Sequence, residues 1–244
     1  MKLALVCPST GGHQEAMQSW MDTASEMIPT YADVSIEGDD AGYLQKVQRA
    51  YKHLPGADVI AYFHSDLFIH EKDWDLRVLK EFEDSNVALV SFFGAKELGR
   101  SNLYVDPYDF RQLARGGCYS NMRDWFNHGQ RCTGSMDVAM IDSFSLIVRR
   151  SFLDEIGGWP DPKEFPNSHG SDMWLCMMAA RHKKKVRLVG IDCSHASGGV
   201  RGDGRFDYAA WAATTKWGSD AAMHQWWHQY LYSEFKDVLP IKVP

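Results

Sequence analysis

Asp58-Val-Ile-Ala-Tyr-Phe-His-Ser-Asp-Leu-Phe-Ile69 decides how the rest of the chain is read. Val59, Ile60, Ala61, Tyr62 and Phe63 form a short apolar run rich in β-branched and aromatic residues, the pattern of a buried strand. Three polar residues, His64, Ser65 and Asp66, interrupt it before Leu67, Phe68 and Ile69 resume. Open α/β sheets bind ligands at the carboxyl ends of their strands, where this imidazole and carboxylate would stand. The two groups also suit Mg2+ or Mn2+. Ser65 and Asp66 read equally as a plain turn.

Outward from this stretch, strands and helices alternate. Residues 3–7 read as a first buried strand, ended by the loop Pro8-Ser-Thr-Gly-Gly12. A helix is expected over 14–28, with Ala16, Met17, Trp20, Met21, Ala24, Met27 and Ile28 on one face, and Pro29 closes it. A second strand over 31–36 leads to Glu37-Gly-Asp-Asp40, where Asp40 is placed to cap a helix over 41–54. After the third strand come a helix over 74–82 and a fourth strand over 87–93. Four strands alternating with helices predict an α/β domain with a mostly parallel, Rossmann-type sheet flanked by helices. The rhythm is lost over 94–136, a stretch rich in Gly, Asn, Arg and Tyr of the kind that covers a site or meets a substrate. It returns with a strand-like run over 138–148 broken at Asp142, a short helix over 151–156, a helix over 172–182 and a strand over 186–191. The tail is Gly-rich over 197–204, then helical and Trp-rich to Phe235.

Composition narrows the function classes. The 244 residues are 45% hydrophobic and 24% charged, enough for one sizeable core, and the net charge is −6. That balance gives no support to a general nucleic-acid or membrane-surface binder. No stretch has the length of a membrane span, and the apolar residues after Met1-Lys2 are too few for a signal peptide, so a cytoplasmic protein is expected. Cys7, Cys118, Cys132, Cys176 and Cys193 never take Cys-x-x-Cys spacing, and most read as reduced core residues.

Three further stretches carry the chemistry. They are Ile141-Asp-Ser-Phe-Ser-Leu-Ile-Val-Arg-Arg150 continuing to Ile156-Gly-Gly-Trp159, then His169-Gly-Ser-Asp-Met-Trp-Leu-Cys176, then Ile191-Asp-Cys-Ser-His-Ala-Ser-Gly-Gly199. In this order, over roughly residues 1–200, the motifs resemble the family 2 glycosyltransferases, nucleotide-sugar enzymes of the GT-A fold. The resemblance implies a GT-A-like catalytic domain over 1–200, with a nucleotide-binding half over 1–93 and an acceptor half over 94–200. A lid loop and a helical, Trp-rich C-terminal extension would follow over 201–244.

The resemblance also implies roles. Asp66 and His195 would hold Mn2+ or Mg2+, which would stabilise the charge on a departing diphosphate. His64 stands where the family has its first Asp and would contact the ribose or the metal. Asp142 and Trp159 belong to the segment that meets the substrate. Asp172 would be the general base that takes the acceptor hydroxyl's proton, in a single displacement with inversion. Ser171 or Asp172 also reads as an N-cap, and Trp174 stands where the family has a second acid. Pro8, Ser9 and Thr10 would contact the nucleotide, and Glu37 or Asp39 would read its base. Independently of the resemblance, Arg201 and Arg205 among glycines suit a phosphate-gripping lid or an ordinary solvent loop.

The expected activity is transfer of a sugar from a nucleotide-diphosphate donor to a saccharide or a hydroxymethylated base in DNA. Trp211, Trp217, Trp226 and Trp227 would stack the acceptor or fill the core, and the run 181–187 would track phosphate or cap a helix C-terminus. A sugar nucleotidyltransferase and a catalytically inactive nucleotide-sugar-binding protein are the alternatives. The first would want a cation in the loop after the first strand, which Pro8-Ser-Thr-Gly-Gly-His13 lacks.

Overall fold

A computed structural model describes residues 1–9, 14–34, 42–99, 118–123, 130–162, 164–165, 170–195 and 213–244. The first half runs β1 (Leu3–Ser9), α1 (Gln14–Thr23), β2 (Thr30–Val34), α2 (Tyr43–His53), β3 (Val59–Phe63), β4 (Leu67–Ile69), α3 (Trp74–Glu81), β5 (Val87–Ser91), β6 (Phe93–Ala95) and β7 (Glu97–Leu98). The second half runs β8 (Cys118–Ser120), β9 (Gln130–Arg131), β10 (Ser135–Asp137), β11 (Met140–Ile141), β12 (Ser145–Arg149), α4 (Arg150–Glu155), α5 (Ser171–Arg181), β13 (Lys185–Val189), β14 (Cys193–His195), α6 (Asp220–Glu234) and β15 (Ile241–Lys242).

Seven strands form the central sheet, in the order β10-β13-β5-β12-β3-β1-β2. β1 lies parallel to β2 and β3, and β5 parallel to β13. Every residue of β3 and β5 is buried, as strands covered on both faces require. Two strands run the other way: β10 at the edge, and β12 between β3 and β5. The reversal of β12 positions the site. Its first residue, Ser145, pairs with Phe63, the last residue of β3, so the loop before β12 lies beside the carboxyl end of β3.

Two expected strands divide where the chain changes sheets. The run over 87–93 breaks at Phe92, whose N–H donates to Ser145 Oγ (3.0 Å), and β6 leaves for a second sheet of order β11-β6-β8-β9. The run over 138–148 breaks at Asp142, leaving β11 in the second sheet and β12 in the central one. The helix expected over 14–28 ends at Thr23. The Asp75 carboxylate captures both the N–H (2.8 Å) and the hydroxyl of Ser25, and Asp73 N–H donates to Thr23 O (2.7 Å). Met27, expected on the buried face, is therefore 89% exposed. The N-cap position of α2 is Gly42, and Asp40 lies outside the described residues.

The core beneath the site is aromatic. Phe63 packs against Trp20 (5.2 Å between ring centroids), Trp74 (5.4 Å) and Phe92 (5.5 Å). Trp20 Nε1 donates to Leu67 O (2.7 Å) and Trp74 Nε1 to Trp20 O (3.1 Å), while Ile69 N–H donates to Ser19 Oγ (3.2 Å). These bonds fasten β4 to α1 and so fix the turn that precedes it. At the other end, the buried Trp227 of α6 lies over Gly170, and Arg181 of α5 pairs with Glu234 and Asp237. None of the five cysteines is joined in a disulfide.

Candidate active site

His64, Ser65 and Asp66 form the tight connection between β3 and β4, closed by Leu67 N–H donating to His64 O (3.1 Å). β14 pairs antiparallel with β4, His195 opposite Leu67, which carries the imidazole back over Asp66. His195 Nε2 stands 3.1 Å from Asp66 Oδ1. The His64 and His195 rings are 5.5 Å apart, and one ligand atom from each of His64, Asp66 and His195 lies within 4.8 Å of the others. Burial, then the neighbouring His195, pushes the His64 imidazole down to about 4, so at neutral pH it is an uncharged nitrogen donor. Burial works to raise the Asp66 carboxyl, but hydrogen bonding and charge from His195, with His64 behind it, carry it below its ordinary value. Two imidazoles, that of His64 uncharged, and a carboxylate at this spacing fit a divalent cation.

The loop 142–144 joins this cluster to a second one. Phe144 stacks on His195 (4.5 Å, 17° between planes), and its carbonyl accepts from His64 N–H (3.0 Å). Asp142 Oδ1 accepts from Phe144 N–H (3.0 Å), which holds the loop in a tight turn. Ser143 N–H donates to Asp172 Oδ2 (3.2 Å), and Asp172 Oδ1 accepts from Met173 N–H (2.8 Å). Asp172 therefore sits in the first turn of α5 yet faces the loop, and Gly170, not Asp172, occupies the N-cap position. Burial, then the charge of Asp142, pushes the Asp172 carboxyl up to about 7 against three backbone hydrogen bonds. A carboxylate of that strength is suited to accept a proton near neutral pH.

The structure thus gathers His64, Asp66, Asp142, Asp172 and His195 around one loop. Pro8 and Ser9 end β1, the neighbour of β3, at the same edge of the sheet. Trp159 is buried edge-on to Tyr62 (5.5 Å, 89°), and its carbonyl accepts from Gln48 (3.4 Å). Thr10, Glu37, Asp39, Arg201, Arg205 and Trp211 lie outside the described residues. Four of the five Lys and Arg residues of the run 181–187 are in ion pairs, Arg181 with Glu234 and Asp237, Lys184 with Glu155, Lys185 with Asp84 and Arg187 with Glu81 and Asp137, and the His182 ring is hydrogen-bonded to Glu155. Two contributors escaped the sequence reading, Phe144 and Tyr43. Phe144 belongs to a quoted motif but reads there as a core residue. Tyr43 opens α2 and meets His64 edge-on (6.0 Å, 72°), a contact with no local signal in the sequence.

Neither known family profiles nor curated protein sequences match the chain. Solved structures do. GalNAc-T7 with UDP, GalNAc and Mn2+ superposes over 80% of this chain and 44% of its own, with a TM-score of 0.55 and 10% identity. The mannosyltransferase PcManGT from Pyrobaculum calidifontis, in complex with GDP-Man and Mn2+, superposes over 86% of this chain and 59% of its own, with a TM-score of 0.51 and 14% identity. The chain has the GT-A fold. It spans less than two thirds of either neighbour's length. Among the described residues, no helix is long and apolar enough to cross a membrane.

Proposed function

We propose that this chain transfers a sugar from a nucleotide-diphosphate donor to an acceptor hydroxyl, with inversion, as family 2 glycosyltransferases do. One observation carries the reading. A nitrogen–oxygen ligand set and a carboxylate of raised proton affinity converge on opposite sides of the loop 142–144. Asp66, His195 and His64 would hold a divalent cation, which when bound would supply Lewis-acid stabilisation of the departing diphosphate. The two imidazoles favour Mn2+ over Mg2+, which prefers oxygen ligands. Asp172 takes the proton of the acceptor hydroxyl as that oxygen attacks the anomeric carbon. Asp142 serves the same pocket: its charge raises the proton affinity of Asp172, and its carboxylate shapes the loop.

Pro8, Ser9 and Thr10, with Glu37 or Asp39, receive the nucleotide, and Arg201 and Arg205 close over the diphosphate. Trp159 supports the substrate pocket from behind Tyr62. The catalytic domain spans 1–200 and the extension 201–244, and the protein works in the cytoplasm. A saccharide acceptor is favoured over a hydroxymethylated base in DNA, because four of the five Lys and Arg residues of the run 181–187 are engaged in ion pairs.

A screen of UDP-, GDP- and dTDP-sugars with and without Mn2+ tests the reading. Metal-dependent release of one nucleoside diphosphate supports sugar transfer. Pyrophosphate release from a nucleoside triphosphate plus a sugar phosphate identifies a nucleotidyltransferase instead. Tight donor binding without turnover identifies a binding protein.

A further inference from the structure

Tyr43 opens α2 and lies edge-on against His64. Its hydroxyl oxygen is shut off from solvent and finds no hydrogen-bond partner among the described residues. A buried hydroxyl without a partner is uncommon because its lost hydration goes uncompensated. The groups whose charges reach it are Asp172 and Asp142, the two carboxylates of the pocket, and Tyr62 is its other titratable neighbour. The Tyr43 ring lies edge-on against the His64 imidazole. A tyrosine phenol keeps its proton at neutral pH and can donate it in a hydrogen bond.

This setting selects a ligand class. Two carboxylates repel a phosphate but accept hydrogen bonds from hydroxyls, and a phenol placed among them donates one. A neutral polyhydroxylated ring satisfies all three groups at once. We propose that the Tyr43 hydroxyl is a binding group for the sugar portion of the donor, donating to one of its oxygens between His64 and Asp172. The inference rests on the sugar-transfer reading and assigns that site a sugar-recognition residue.

The test is calorimetric titration of the parent and of Tyr43→Phe, in Mn2+, with the nucleoside diphosphate alone and with the nucleotide-sugar that the parent turns over. Phenylalanine keeps the ring against His64 and removes only the donor. The expected result is a roughly tenfold loss of nucleotide-sugar affinity with nucleoside-diphosphate affinity unchanged. The ligand-free variant should melt at or above the parent temperature, since it sheds an uncompensated buried hydroxyl. Tyr51→Phe, the same change two turns along α2 where the hydroxyl is bound by Asp154, leaves both affinities at the parent value. Equal affinities in Tyr43→Phe and the parent would overturn the assignment, as would parallel loss of both ligands. A drop of several degrees in melting temperature would also overturn it, because the hydroxyl would then have a partner within the protein. A parent that binds no nucleotide-sugar removes the wider reading itself, a result distinct from the other three.

Discussion

In the proposed reading Asp172 serves two purposes that pull against each other. As a base it needs a raised proton affinity, and burial beside Asp142 supplies it; as a buried anion it then strains the fold. Asp172→Asn should leave donor binding intact and reduce transfer by roughly 100-fold to 10,000-fold, measured by calorimetry and product formation. The base works only when deprotonated, so parent activity should fall as pH drops through about 7. Asp142→Asn removes the neighbouring negative charge and should move that limb to lower pH, read from kcat against pH. The stability effect has the opposite sense. The folded-state value of Asp172 lies above its ordinary 3.8, so its cost to the fold grows as pH rises from about 4 through about 7. Ligand-free Asp172→Asn should therefore melt higher than the parent at pH 8 and no higher at pH 4. A variant that transfers at the parent rate would mean that another group is the base.

At the scale of elements, the position of the proposed base depends on how α5 is seated. Gly170 precedes α5 with φ +85°, and a Cβ there would come within 2.8 Å of the Trp227 ring on α6. Gly170→Ala therefore meets both a backbone penalty and a clash, and should cost about 1–3 kcal/mol in thermal unfolding while lowering transfer. An unchanged melting temperature would show that α6 does not hold the start of α5. Element identity was largely readable in advance. The apolar run over 59–63 became β3 because strands covered on both faces carry no polar alternation. What escaped was where runs divide. Phe92 and Asp142 look locally like a strand residue and a polar interruption, and only hydrogen bonds to Ser145 and Phe144 reveal a change of sheet and a tight turn. The length of α1 escaped for the same reason, since Asp75, 50 residues away in sequence from Ser25, ends it.

Across the whole molecule, the ligand set exists only when the chain is folded, because the β3–β4 turn and β14 lie far apart in sequence and meet through the β4–β14 pairing. A cation that binds there binds the native state alone and must stabilise it, by about 2.7 kcal/mol at 100 times its Kd. Mn2+ should accordingly raise the melting temperature of the parent, and Asp66→Ala should abolish that rise and weaken donor binding in Mn2+ by about tenfold or more. A parent whose melting temperature ignores Mn2+ would leave the three side chains as a purely structural cluster.

The sequence by itself determined the α/β class, the mostly parallel sheet and the identity of the polar residues at strand ends, because burial on one or both faces writes a period into the chain. Tertiary structure alone decided that β12 runs backwards between β3 and β5. That reversal delivers Asp142, Ser143 and Phe144 to the edge where His64 and Asp66 stand. Strand direction within a sheet depends on pairing partners far away in sequence, and no local pattern of residues encodes it.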